Sequence, residues 1–399
     1  MSRPCPRILV LDRLGPDLGS QSSFVALLEL LDRTADAVGV DLAIDQSRLD
    51  ALPLRPSTIA TINASYDLVV VTGADVLSHD PRIRTASGWA LDLPIESIEE
   101  LTAPLALFGV GSDAPAFQPD RLVEVAGAHL ARTARHARMF TVRDEVTEER
   151  LHDELGIDAR TIGPVELAIR PLEAAPCAID VARRPVAVSL QLDATQDILP
   201  FPFQFRFETL IRTVVDALEI LARDEDRQIV YAPHTWSQVD IELERLLAAR
   251  LPEGSLVSVP REVPALFGIG AIERAATLAA VYRDVEIVVG HRIPSITLPF
   301  VAGTPTVAFV ATDGTRSAQS TLGAPEHRSI DLGLFDQEVR VPRLLSAIRA
   351  GREHGFDARA SAHVERVRAT LEQHAAQLVD LAVSSERAVE AAPLRTAAV

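Results

Sequence analysis

Residues 288–309 read VVGHRIPSITLPFVAGTPTVAF, and this stretch decides the fold. The apolar run Val285–Val289 stops at Gly290, as a buried strand does. His291 and Arg292 follow at its tip. A short helix, Ser295 to Ala302, begins there, with the Ser295 side chain placed to cap it and its free amides disposed toward an anion. Gly303 and Pro305 end that helix. Thr306–Val310 then reads as the next strand. Strand, helix and strand in so few residues make a βαβ unit, which requires a parallel sheet.

The same grammar extends outward in both directions. Upstream strands are read at Arg7–Leu11, Tyr66–Thr72, Leu105–Val110 and Met139–Val142. Later ones fall at Val186–Leu190, Ile229–Ala232 and Leu256–Val259. Helical spacing joins Phe24, Leu27, Leu28 and Leu31, and again Phe207, Leu210, Ile211, Val214, Val215 and Leu218. Helices are also read at Val123–Ala137, Val146–Leu155, Ile241–Leu251 and Ile272–Tyr282. Residues 163–185 carry Pro164, Pro171, Pro176 and Pro185 with no clear period, so they read as a linker. The expected fold is α/β, with two Rossmann-like domains at 1–175 and 183–350. A helix or helix pair at 358–391 is expected to brace the first of them.

Composition supports layers of this kind. Of 399 residues, 47% are hydrophobic and only 5% aromatic, so Val, Ile, Leu and Ala must fill the interior. Parallel strands covered on both faces have that character. The net charge of −17 disfavours a phosphate-tracking nucleic-acid surface. All 39 basic residues are arginine. Without lysine there is no Walker A loop, no Schiff-base amine and no kinase strand lysine. Two cysteines, Cys5 and Cys177, support neither a disulfide framework nor a zinc site, and no cofactor or metal is expected. No run of about 18 apolar residues and no signal-peptide pattern is found, so a cytoplasmic protein is expected.

Ligands of open parallel sheets bind outside the carboxyl ends of the strands. The candidates are therefore the residues just past each strand. They are Gly73, Ala74 and Asp75; Gly111, Ser112 and Asp113; Arg143 and Asp144; His234, Thr235 and Trp236; and His291, Arg292 and Ser295. Arg292 offers a planar fork for a carboxylate or phosphate. His291 and His234 are the candidates for proton transfer. Each has a plainer alternative: a loop histidine at 234, an ion pair or helix cap at Arg143-Asp144, and a capped helix with a surface arginine at 292. Gly109-Val-Gly111 is not a dinucleotide fingerprint, since Ala114 stands where the third glycine would be.

Four segments in this order resemble the polysaccharide pyruvyl transferase family: YDLVVVTGADVLS from 66, LFGVGSDAP from 107, TVRDEVTEERLHDELG from 141, and 288–309. The family is similar in fold to GT-B glycosyltransferases. The resemblance implies transfer of the enolpyruvyl unit of phosphoenolpyruvate to hydroxyls of a sugar-containing acceptor. It implies an anion site at Arg292, Ser295, Arg143, Gly73, Gly111 and Ser112, and an acid such as His291 or His234. The chain departs from the family at several points. Pro294 stands where the family has histidine, Gly163-Pro164 where it has Asp-Pro, and Gly15-Pro16-Asp17 where it has Asn-x-Gly-Asp. Two other readings stay open: a GT-B glycosyltransferase using a nucleotide sugar, and a non-catalytic binding member of the same scaffold.

Overall fold

A computed structural model describes residues 5–12, 18–49, 52–73, 76–77, 85–112, 122–190, 203–234, 236–267, 271–310, 313–332, 339–354, 356 and 358–385. The chain folds around two parallel six-stranded sheets. The first holds β1 (Arg7–Asp12), β2 (Ala43–Arg48), β3 (Leu68–Thr72), β4 (Leu105–Val110), β5 (Met139–Val142) and β6 (Arg160–Thr161), in the order β2-β1-β3-β4-β5-β6. The second holds β7 (Val186–Ser189), β8 (Ile229–Tyr231), β9 (Leu256–Ser258), β10 (Ile287–Gly290), β11 (Thr306–Val310) and β12 (Ser329–Asp331), in the order β12-β11-β10-β7-β8-β9. The central strands β1, β3, β4, β7 and β10 are buried almost throughout, as their Val- and Leu-rich sequences require.

Helices connect these strands. In the first half they are α1 (Leu18–Val38), α2 (Pro56–Ser65), α3 (Leu122–His136) and α4 (Glu145–Leu155). In the second they are α5 (Phe203–Asp224), α6 (Gln238–Arg250), α7 (Ala271–Arg283), α8 (Pro294–Ala302), α9 (Asp313–Thr321) and α10 (Val341–His354). The last helix, α11 (Ala358–Val383), is shorter than the expected 358–391, of which 386–391 lie outside the described residues. The proline-rich stretch carries only the 3₁₀ turns Val165–Ala168 and Val181–Arg183.

The two halves share one apolar cluster. Ile8, Val10 and Phe24 of the first half join Ala275, Leu278, Ile296 and Leu298 of the second, and Val364, Leu371 and Leu378 of α11. In this interface α1 packs on α7, α11 and the 165–168 turn, and α8 packs on the same turn. Helix α11 thus presents its Val364, Val367, Leu371, Ala375 and Leu378 stripe to the junction of both halves. Among the described residues no helix is long and apolar enough to cross a membrane.

Both sheets reverse their winding at one place. In the first the reversal lies between β1 and β3, where Asp12 is level with Thr72. In the second it lies between β7 and β10, where Ser189 is level with Gly290. Such a reversal leaves a crevice at the carboxyl edge, because the connecting helices depart to opposite faces.

Candidate functional site

The reversal in the second sheet is occupied by the Gly290–Ser295 turn. Gly290 has no room for a side chain. A Cβ there would collide with the side chain of Ser295 and lie 3.1 Å from the Ser189 carbonyl oxygen. Ser295 is fully buried and is turned back on its own loop. Its Oγ donates to the Arg292 carbonyl at 2.6 Å and accepts from the Arg292 amide at 3.1 Å.

This corrects one expectation. Ser295 is not the cap of α8, which already starts at Pro294 with Ile293 in helical backbone geometry before it. Pro294 lacks an N–H, and its fixed φ suits the first helical position. The following amides are also engaged. Ser295 N–H bonds the Arg292 carbonyl, while Ile296 and Thr297 N–H both bond the carbonyl of Ile293. The attraction for an anion therefore rests on the Arg292 guanidinium and the helix dipole, not on a row of free amides.

Arg292 itself is half-buried, with its charge close enough to act on His234. His291 is buried, and its carbonyl accepts from Thr315 Oγ1 of α9 at 3.4 Å. His234 is also buried, two strands away past β8. Its Nε2 lies 3.1 Å from the Tyr282 hydroxyl on α7. Burial, reinforced by the Arg292 charge, pushes the His234 pKa down to about 3, and burial raises that of Tyr282. His234 is thus a neutral imidazole at pH 7, a poor general acid because its remaining N–H is only very weakly acidic.

A pH prediction follows from the His234 shift. The unfolded imidazole titrates near 6.5 and the folded one near 3. Between those values the unfolded chain binds the extra proton, so this group's contribution to stability is lost as pH falls from about 6.5 toward 3. The slope it contributes is at most about 1.4 kcal/mol per pH unit. Thermal unfolding from pH 7 to pH 5 is expected to lower the Tm of the wild type more than that of His234→Asn. Equal losses in the two proteins would contradict a neutral buried His234.

In the first sheet, Gly73 follows β3 with φ +134°, a conformation open only to glycine. A Cβ there would lie 2.5 Å from Asp12 Oδ1. The Gly73 carbonyl accepts the Gly111 amide at 3.1 Å, tying the turns after β3 and β4 together. Arg143 was expected to offer a ligand fork. Its guanidinium is instead buried, donating from Nε to Asp144 at 3.1 Å and from Nη2 to the Ser112 carbonyl at 3.2 Å. Asp144 in turn caps α4 through the Thr147 amide at 2.8 Å. Here the plainer alternative, pair and cap, describes the geometry. Arg143 shapes the turn of Ser112 and α4.

Helix α9, which follows β11, touches α4, whose N-cap is Asp144. The structure thus brings His291, Arg292, Ser295 and His234 to the carboxyl edge of the second sheet, and Gly73, Gly111, Ser112 and Arg143 to that of the first. Ala74, Asp75, Asp113 and Thr235, together with Gly15, Pro16 and Asp17, lie outside the described residues. Sequence reasoning missed two groups. Asp12 is buried at the tip of β1 beside Gly73, and Tyr282 holds His234. An aspartate closing the apolar run RILVLD was a readable signal for the first. Tyr282 carried none, because an Ala-rich helix does not announce what its last tyrosine touches. No group of three His, Cys, Asp or Glu side chains suited to a metal is found among the described residues.

The sequence matches no family model and no curated protein. Solved structures are similar over most of the chain. The Neisseria meningitidis UDP-GlcNAc 2-epimerase bound to UDP-GlcNAc aligns with a TM-score of 0.53 at 9% identity, covering 94% of this chain and 98% of that one. S. aureus MnaA with UDP aligns at 0.52 and 8% identity, covering 93% and 94%. The Methanocaldococcus jannaschii UDP-GlcNAc 2-epimerase aligns at 0.51 and 13% identity, covering 86% and 92%. The fold is GT-B-like. At these identities the similarity extends to the fold, and it is at this level that the resemblance read in the sequence is supported.

Proposed function

We propose that this GT-B-like protein is an enzyme that binds a nucleoside-diphosphate sugar between its two sheet edges and acts on the sugar. The supporting observation is Arg292, held at the winding reversal of the second sheet by the Gly290–Ser295 turn, at the head of α8. A reversal point, a guanidinium and a helix head are what a diphosphate requires. The UDP-GlcNAc and UDP named for the similar structures fit that chemistry. Asp12 and Gly73 across the cleft then face the sugar. His291, beside Arg292, is the group assigned to proton transfer.

A second reading, enolpyruvyl transfer from phosphoenolpyruvate to a sugar-containing acceptor, is favoured by the order of the four segments quoted above. It uses the same arginine for a different anion. Calorimetric titration with UDP, UDP-GlcNAc and phosphoenolpyruvate separates the two. UDP binding is expected, weakened about 10- to 100-fold in Arg292→Ala, since a charge-assisted bond contributes roughly 1.5–3 kcal/mol and 1.4 kcal/mol is tenfold. Binding of phosphoenolpyruvate alone would put the second reading first. Binding of none of the three would overturn both.

A further inference from the structure

The buried pair of His234 and Tyr282 has no part in the proton transfer assigned to His291. Tyr282 sits at the end of α7, fully buried, and its carbonyl accepts the Thr304 hydroxyl at 2.7 Å. Its own hydroxyl oxygen lies 3.1 Å from His234 Nε2 and 3.5 Å from the Ala232 carbonyl oxygen.

A phenol has one proton to donate. O–H···O bonds close at about 2.5–3.0 Å, so the Ala232 carbonyl is out of range and the imidazole nitrogen is the acceptor. A neutral imidazole keeps its single proton on the nitrogen that is not accepting. With Nε2 accepting, that nitrogen is Nδ1. The opposite tautomer turns Nε2–H toward the phenol and leaves a buried O–H without an acceptor in range. Nδ1 itself makes no hydrogen bond to a described residue. His234 follows β8 and Arg292 follows β10, with β7 between them, so their strands stand roughly 10 Å apart. The Arg292 charge reaches the imidazole across that gap.

We propose that His234 is a neutral hydrogen-bond donor to the diphosphate and that Tyr282 is its positioning residue, holding the imidazole proton on Nδ1 for the anion at Arg292. This rests on the reading of the cleft as a nucleotide-sugar site. An imidazolium beside Arg292 is disfavoured by like charge, whereas a neutral N–H adds a bond without adding charge. In the other tautomer Nδ1 presents a lone pair, which repels an anion. The phenol thus decides whether His234 attracts the ligand or repels it.

Nitrogen NMR of protein carrying isotope-labelled histidine reads the tautomer with no ligand present. The His234 signals are identified by their loss in His234→Asn. In the free wild type Nδ1 is expected to be the protonated nitrogen, and Tyr282→Phe is expected to lose that preference. Calorimetry with UDP reads the consequence. Tyr282→Phe is expected to weaken UDP binding about 5- to 20-fold, the loss of one well-placed hydrogen bond to an anion. His234→Asn sets an amide N–H near the place of Nδ1 and has no tautomer to choose. It is expected to bind UDP within about threefold of the wild type and to make Tyr282→Phe silent, as coupled positions do. A full Tyr282→Phe effect in the His234→Asn background means that the phenol acts through packing, and overturns the proposal. An Nε2–H signature in the free wild type overturns it as well, even with UDP binding intact. A wild type that shows Nδ1–H but binds no UDP overturns the nucleotide-sugar reading instead, and the donor role with it.

Discussion

His291→Ala is expected to lower turnover of the bound nucleotide sugar by roughly 10²- to 10⁴-fold, the usual effect of losing an acid or base. UDP affinity is expected to stay within about threefold, since the proposal assigns the anion to Arg292. The assignment to His291 comes from what its neighbours are already doing. Pro294 has no proton. Ser295 Oγ is engaged twice by the Arg292 backbone. His234 is held neutral by burial and the Arg292 charge. Since His291 is buried, His291→Gln is the companion variant: it preserves volume and hydrogen bonding but not titration. Loss of a limb in the pH–rate profile of His291→Gln is expected. Full turnover in either folded variant contradicts the assignment.

Gly290→Ala is expected to be strongly destabilising. The added methyl collides with Ser295 and crowds the Ser189 carbonyl. Forcing an extra carbon into a packed site costs roughly 1–3 kcal/mol, and this contact lies at the severe end. For domains of this size, Tm is expected to fall by about 4–10 °C. Adding Ser295→Gly, which removes the opposing atoms, is expected to recover part of the loss by coupling. Denaturation of the single and double variants by calorimetry checks both statements. An unchanged Tm in Gly290→Ala means that the turn is not packed as described.

The core of the fold was readable because both faces of its central strands are covered. Leu105–Val110, Met139–Val142 and Thr306–Val310 begin and end where their apolar runs do. The strands that escaped reading are edges. Ala43–Arg48 reads AIDQSR, Arg160–Thr161 has two residues, and Ser329–Asp331 reads SID. An edge strand is paired on one side and partly exposed, so its sequence has no reason to be apolar. Helix α8 was placed one residue late because Ser295 looked like a cap. Pro294 is a better first residue, and the serine was needed to hold Arg292.

The site was readable as a set of strand ends but not as a set of roles. The tips of β3, β4, β5, β8 and β10 are where Gly73, Gly111, Arg143, His234 and His291 were sought. Whether each side chain faces ligand or protein depends on partners far along the chain. Arg143 meets Ser112, 31 residues away, and His234 meets Tyr282, 48 residues away. Spacing within one motif carries no information about either pairing.

The central claim is that a diphosphate sits against Arg292 at the winding reversal of the second sheet. The measurement that tests it most directly is a crystal structure of the chain grown with saturating UDP. Diphosphate oxygens are expected within about 2.7–3.2 Å of the Arg292 guanidinium nitrogens, at the head of α8. UDP bound elsewhere on the molecule, with Arg292 untouched, would contradict the account.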